Sequence, residues 1–212
     1  DWFRNSLIIG AATCVISTLF VLMVAYAMSG MRFPARKPLM SIAIILGMFP
    51  GVLSMIAIYF VMKLLGLTDS MAGLIIIYSA GSGLGYLICK GFFDTIPVSL
   101  RESAKLEGAS ELSIFVKIVI PLSKPIIVYT VINAFLNPWM DFVMAKLMIR
   151  SKNPADWTVA MGLYNLVQRT LVGDYFSVFC AGGVIVAIPI SILFIIMQKF
   201  YVEGITGGAV KG

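Results

Sequence analysis

The stretch Glu102-Ser103-Ala104-Lys105-Leu106-Glu107-Gly108-Ala109-Ser110-Glu111-Leu112-Ser113-Ile114-Phe115-Val116-Lys117-Ile118-Val119-Ile120-Pro121-Leu122-Ser123-Lys124-Pro125 decides how this chain is read. It is charged and polar, and long apolar runs stand on both sides of it, which places it in water between membrane spans. Pro97 suits the first turn of a helix running to about Glu107, because the amide that proline lacks has no partner there. Gly108 ends that helix, since glycine accepts the left-handed conformation common just past a helix C-terminus. Ser110 caps a second helix of about two turns, and Pro121 limits how far back that helix can extend. A helix, a sharp glycine turn and a second short helix make a docking element rather than a linker.

The chain around this element is 60% hydrophobic and only 12% charged over 212 residues, with a mean hydropathy of +0.99. Soluble domains average about 45–50% apolar and about 25% charged residues, so the class is integral membrane and all-α. A net charge of +6 invites a nucleic-acid reading, but the charges sit between apolar runs rather than in one stripe, and we expect no nucleic-acid partner. Cys14, Cys89 and Cys180 lie far apart within apolar runs, and the chain has no histidine. Neither a metal site nor a disulfide framework is expected, only buried, inert thiols. Asp1 in place of an initiator methionine leads us to expect a longer protein upstream.

We read one transmembrane domain over residues 1–212, a polytopic helix bundle with five spans at about 7–28, 39–65, 71–93, 125–149 and 178–197. Leu7 to Met28 carries no charge and is too long for a signal-peptide core, and its basic cluster Arg32, Arg36 and Lys37 follows it. The second span is interrupted by Pro50-Gly51, a bend that serves either as a gate or as a packing kink. The third carries Gly81, Gly83 and Gly85, read as sites of close helix packing. The fourth holds Asn133, Asn137, Pro138, Trp139 and Asp141.

Asn133 and Asn137 share a helix face that Asp141 extends by a turn, and an ionisable group at membrane depth normally faces a bundle interior. That face would line a translocation path, with Trp139 or Tyr129 offering aromatic surface to a sugar ring. Alternatively, Asp141 lies near the external end and reaches water or Lys146. The loop 150–177 is read as external, with a turn at Asn153-Pro154-Ala155-Asp156. Its short amphipathic helix shows Leu163, Leu166, Val167 and Thr170 on one side, either for a soluble partner or as a cap on the bundle. Pro189 and Gly182-Gly183 would bend or loosen the fifth span, before a tail over 198–212 that is glycine-rich from Val202 to Gly212.

Alternation puts the loop 94–124, the turn after the first span and the tail on one side. Of the 16 Lys and Arg, that side holds Arg32, Arg36, Lys37, Lys90, Arg101, Lys105, Lys117, Lys124, Lys199 and Lys211. The positive-inside bias therefore makes it cytoplasmic.

Glu102, Ala104, Gly108, Ala109, Phe115, Ile118, Pro121 and Pro125 resemble the "EAA" loop of ABC importer membrane subunits. That pattern has a Gly six residues after the Glu and a Pro thirteen further on, as here, while Ser103 replaces the first alanine and Glu107 the usual aspartate. Met31-Arg32-Phe33-Pro34, Met48-Phe49-Pro50-Gly51-Val52-Leu53 and the end Gly204 to Gly212 extend the resemblance along the chain. Together they are similar to the MalG-type permeases of maltose and maltodextrin importers.

The resemblance implies a MetI-like type I permease core in the bacterial cytoplasmic membrane, with one earlier span. It also implies a separate ABC ATPase dimer that carries ATP and magnesium, a companion permease subunit in a heterodimer, and an extracytoplasmic sugar-binding protein that meets the external loop. Glu102, Ala104, Glu107, Gly108, Ala109, Ser110, Phe115 and Pro121 would then form the coupling surface. Within it Glu102 would meet a cation of the ATPase, Ala104 and Ala109 would allow close approach, and Gly108 would set the turn. The tail residues Gly207, Gly208 and Lys211 would reach the ATPases.

No cofactor is expected on this chain, which has no Gly-x-x-x-x-Gly-Lys-Ser/Thr loop and no catalytic residues of its own. Two other readings stand beside the sugar importer. One is an ABC permease for polyols, glycerol phosphate or uronic-acid oligosaccharides. The other is an ion-coupled secondary transporter, which the scarcity of intramembrane acidic groups disfavours.

Overall fold

A computed structural model describes residues 1–80 and 85–209, with side chains through residue 198; every regular element in it is helical. The first helix, α1 (Trp2–Gly30), is the axis of the bundle and touches α4 (Met71–Ala80), α5 (Gly85–Phe93), α9 (Lys124–Met140) and α11 (Val159–Leu166). Ile9, Thr13, Ser17, Val21 and Ala25 recur every fourth residue on its buried face, a stripe of mostly short side chains that lets neighbouring helices come close. A Cβ added at Gly10 would lie 2.8 Å from the Trp139 indole nitrogen, so α1 and α9 meet there because position 10 has no side chain.

The segment read as a second span divides into α2 (Arg36–Gly47) and α3 (Gly51–Leu64), which meet at 107°. Pro50 caps α3 with an extended ψ of 119°, and a proline also drives the residue before it out of helical geometry. The bend expected at Pro50 is therefore a full break. Helices α4 and α5 meet at 42°, and the junction glycines Gly81 and Gly83 lie outside the described residues.

Next come α6 (Val98–Leu106), α7 (Glu111–Ile114), a π-helical turn over Phe115–Val119 and α8 (Ile120–Leu122), before an 87° break into α9. The widened turn falls just before Pro121, whose ring crowds the carbonyl four residues back. The helix is thus carried past Pro121 and turns at Ser123 instead.

The fourth expected span also divides, because α9 ends at Met140 and α10 (Val143–Met148) follows. Helix α11 buries Val159, Met161 and Gly162, so Leu166 closes it and the expected Val167 and Thr170 lie beyond its end. The last helix, α12 (Val172–Ala209), runs through Pro189 unbroken, and the expected glycine-rich tail is helical as far as Ala209. Membrane helices tolerate proline where local adjustments satisfy the freed carbonyl.

Among the described residues, two helices are individually long and apolar enough to cross a membrane, α1 and residues Val172–Gln198 of α12. The bent pairs α2–α3, α4–α5 and α7/α8–α9 each pass the same test together.

Candidate functional site: coupling hairpin and polar cavity

Gly108 has φ +83°, the left-handed conformation its position requires. Its N–H donates to Lys105 O at 3.0 Å, and the Ala109 N–H reaches back to Ala104 O at 2.9 Å. This pair closes α6 in a Schellman motif. Ser110, in extended geometry, accepts from the Ser113 N–H at 3.2 Å and opens the second arm. The hairpin expected between Pro97 and Pro121 is present, with Pro97 as the cap of its first helix.

The structure divides the expected coupling residues between two faces. Glu102, Glu107, Gly108, Ser110 and Pro121 are exposed, and Leu106 and Leu112 stand out beside them at 90% and 71% exposure. Ala104 and Ala109 instead are half-buried and pack against the bundle core, where they help seat the hairpin. Phe115 also points inward, its ring 4.9 Å from that of Tyr26.

Glu111 fastens this element. One of its carboxylate oxygens pairs with Lys105 Nζ at 2.5 Å across the glycine turn, and the other accepts from the Tyr26 hydroxyl at 2.6 Å. The Lys105 hydrogen bond, followed by that from Tyr26, holds the Glu111 carboxyl below the usual range. Nearby, Asp94 accepts from Lys90 at 2.5 Å and from Ser29 at 2.7 Å. Burial pushes the Asp94 carboxyl up, but those two hydrogen bonds and the charges of Lys90 and Arg36 bring it below its ordinary value. Tyr26 and Ser29 belong to the last two turns of α1, so the hairpin is tied directly to the bundle axis.

Farther along α1 and α9, Ser17, Val21, Tyr78, Tyr129, Asn133 and Asn137 line a cavity of about 490 Å³. A second cavity, of about 660 Å³, opens among α3, α4 and the end of α9, with Met55, Met62, Met144 and Asp141 in its wall. The two share Tyr78, Asn137 and Met140. Asn133 and Asn137 are exposed and lie on one face, as their spacing predicts, and Tyr129 stands on the same face one turn earlier.

Asp141 is not a further turn of that face, since it adopts extended geometry just past the helix. It accepts from the Tyr78 hydroxyl at 2.9 Å and from the Met144 N–H at 3.1 Å, capping α10 while facing the cavity. Lys146 lies over the Trp157 ring at 5.2 Å instead. Trp139 offers no platform for a sugar: it is 3% exposed and packed against Phe3 and Phe135.

At the far end, residues 150–158 are strapped to the start of α1. Asn5 donates to Ala155 O and Trp157 O, Trp2 donates to Pro154 O, and the Val159 N–H donates to Ser6. Gly207 and Gly208 lie in α12, and Lys211 falls outside the described residues. Among the described residues no group of three or more metal-ligating side chains comes together.

An all-helical bundle with paired broken helices, an exposed hairpin and an open cavity edged by amides and phenols fits a membrane permease subunit. The chain belongs to the family of binding-protein-dependent transport system inner membrane components, which it matches over residues 17–206. It is 37% identical to the galactooligosaccharides transport system permease protein GanQ of Bacillus subtilis, over 100% of this chain and 74% of that protein. Identity is 33% to the maltodextrin transport system permease protein MdxG of the same organism, covering 100% of this chain and 76% of that one. The maltose/maltodextrin transport system permease protein MalG of Escherichia coli K12 is 34% identical, with 100% and 72% covered.

Proposed function

We propose that this chain is the membrane-spanning permease subunit of an ATP-driven, binding-protein-dependent importer of neutral oligosaccharides, of the maltodextrin or galactooligosaccharide kind. In this reading α2–α3, α4–α5 and α9 each make one span, giving five with α1 and α12, while α7 and α8 stay with the hairpin. The hairpin and the C-terminal end of α12 face the cytoplasm. An ABC ATPase dimer carries ATP and magnesium, a companion permease completes the pathway, and an extracytoplasmic binding protein delivers the sugar. No bond is made or broken on this chain.

The observation that carries the reading is the physical link between hairpin and cavity. The same α1 that supplies Tyr26 to the hairpin, and Ser29 to Asp94 just before it, supplies Ser17 and Val21 to the cavity wall. A helix moves as a stiff unit, so a pull on Glu102, Glu107 and the exposed Leu106 and Leu112 is transmitted along α1. ATP favours one state only because the ATPases bind it better in that state.

The cavity chemistry supports a neutral solute. Among the described residues the two linings hold amides, phenols and one carboxylate, with no lysine or arginine to meet a phosphate or uronate. Amides and phenols match sugar hydroxyls as both donors and acceptors.

The test is ATP turnover by the reconstituted complex with its binding protein, across neutral oligosaccharides, uronic-acid oligosaccharides and glycerol phosphate. Stimulation by maltodextrins or galactooligosaccharides alone is expected. Stimulation by a charged solute overturns the substrate class, and uptake that follows a sodium or proton gradient without ATP overturns the importer.

A further inference from the structure

The end of α1 bounds another polar cavity, of about 710 Å³, separate from the two along α9. Ser29 of α1, Met31 and Arg32 just after it, Arg36 at the start of α2, and Arg101 and Lys105 of α6 form much of its wall. Glu102 and Glu111 also face it. Glu111 is held by Lys105 and Tyr26 and also feels Arg101, and Arg36 acts on Asp94, so the three arginines face a wall whose one exposed carboxylate is Glu102.

Arg101 is the unusual member. It is 8% exposed, and no described residue accepts a hydrogen bond from it, although its charge acts on the nearby Glu111 and Tyr26. Its guanidinium carries five N–H donors, and they face the cavity rather than a protein acceptor. The carbonyl end of α1, where the guanidinium lies beside Gly30, adds a partial negative charge next to it.

Depth identifies what could meet them. At about 1.5 Å per residue, the 29 residues of α1 span roughly 43 Å. That exceeds the ~30 Å hydrocarbon core and matches the ~40–45 Å that includes both headgroup layers. The cavity at the end of α1 therefore lies at headgroup level, where a basic pocket between membrane helices meets the anionic lipids of the cytoplasmic leaflet.

We propose that this cavity binds the phosphate of an anionic phospholipid, with Arg101 as its buried anchor and Arg32 and Arg36 as its outer pair. The assignment rests on the cytoplasmic placement of the hairpin given above. Because Arg101 precedes Glu102 in α6, an occupied pocket steadies the root of the hairpin.

The experiment measures lipid retained by the assembled complex, by mass spectrometry after exchange into nanodiscs of mixed phosphatidylglycerol and phosphatidylcholine. Wild type is expected to retain phosphatidylglycerol preferentially. Arg32→Gln with Arg36→Gln should lower that preference by about fivefold for each arginine removed. Arg101→Gln should abolish it; should that variant fail to assemble, the double variant carries the test.

Equal retention of both lipids by wild type, or an unchanged preference in the double variant, overturns the site. Binding of inorganic phosphate in phosphatidylcholine-only discs, lost in the double variant, assigns the pocket to a soluble phosphate ester and overturns the lipid. Loss of the ATPase subunits from the double variant with lipid preference intact assigns it to an acidic group of the ATPase and overturns it equally. Sugar-stimulated ATP turnover in the same discs reports separately on the importer reading, because lipid retention requires neither sugar nor ATP.

Discussion

Tyr26, near the end of α1, donates its hydroxyl to the Glu111 carboxylate at 2.6 Å, and the two residues are 85 positions apart in the chain. This contact fixes the second arm of the hairpin to the helix that also walls the cavity along α9. Tyr26→Phe keeps the ring packing on Phe115 and removes only the hydroxyl. A hydrogen bond to a charged group contributes about 1.5–3 kcal/mol when well shielded, and the partial exposure of Glu111 brings this site to about 1 kcal/mol. The variant should insert and assemble normally while the ratio of sugar-stimulated to basal ATP turnover falls about fivefold. A ratio equal to wild type in a fully assembled complex would remove the latch from the coupling path.

Gly108 gives a second prediction. At φ +83° a β-branched residue is strained by about 1–3 kcal/mol, while asparagine tolerates that region far better. No neighbour lies within 4 Å of the Cβ that a substitution would add, so the effect is conformational rather than steric crowding. Gly108→Val should therefore insert but lose transport, whereas Gly108→Asn retains most of it. Paired measurements of membrane yield and sugar uptake separate the two, and equal uptake by both variants is the contrary result.

How much of this was legible in the sequence depended on whether the cause was local. The left-handed glycine and the Ser110 cap are decided by residues a few positions apart, so the hairpin could be read directly. Pro50 announced a bend, but its 107° angle depends on how α2 and α3 pack, which no local pattern contains. Tyr26 and Arg101 were missed because their surroundings are assembled from distant segments. Trp139 was misread even though its spacing held the answer. It lies two residues from Asn137, and residues two apart do not share a helix face. The inward turn of Ala104 and Ala109 was hidden for a related reason, since small residues serve close packing within a chain as well as between chains.

The ionic latch has a defined pH dependence. The carboxyls of Glu111 and Asp94 are held below their ordinary values of 4.5 and 3.8. A lowered carboxyl stabilises the fold above its unfolded pKa and loses that contribution as pH falls through the folded value. The hairpin should therefore be indifferent to pH from neutrality down to about 5 and loosen only in stronger acid. Amide exchange across residues 98–114 as a function of pH reads this directly. Lys105→Gln removes the largest cause at Glu111, so its loosening should begin at a higher pH than in wild type. Identical acid profiles for the two proteins would mean that Lys105 does not control this carboxylate.

Asn137 and Trp139 make opposite predictions although two residues separate them. Asn137 lies where both cavities meet, and Asn137→Ala removes a donor and an acceptor from their shared wall. A lost hydrogen bond to a neutral solute is worth about 0.5–1.5 kcal/mol, so the sugar concentration for half-maximal ATP stimulation should rise about threefold to tenfold with little change in stability. Trp139 is buried between α1 and α9, and its ring occupies the space left by Gly10. Trp139→Ala should cost about 3–5 kcal/mol of stability, seen as a lower unfolding temperature, while Trp139→Phe should fold with an unaltered sugar requirement. A change of sugar preference in Trp139→Phe, with none in Asn137→Ala, would transfer the solute path to the opposite face of α9.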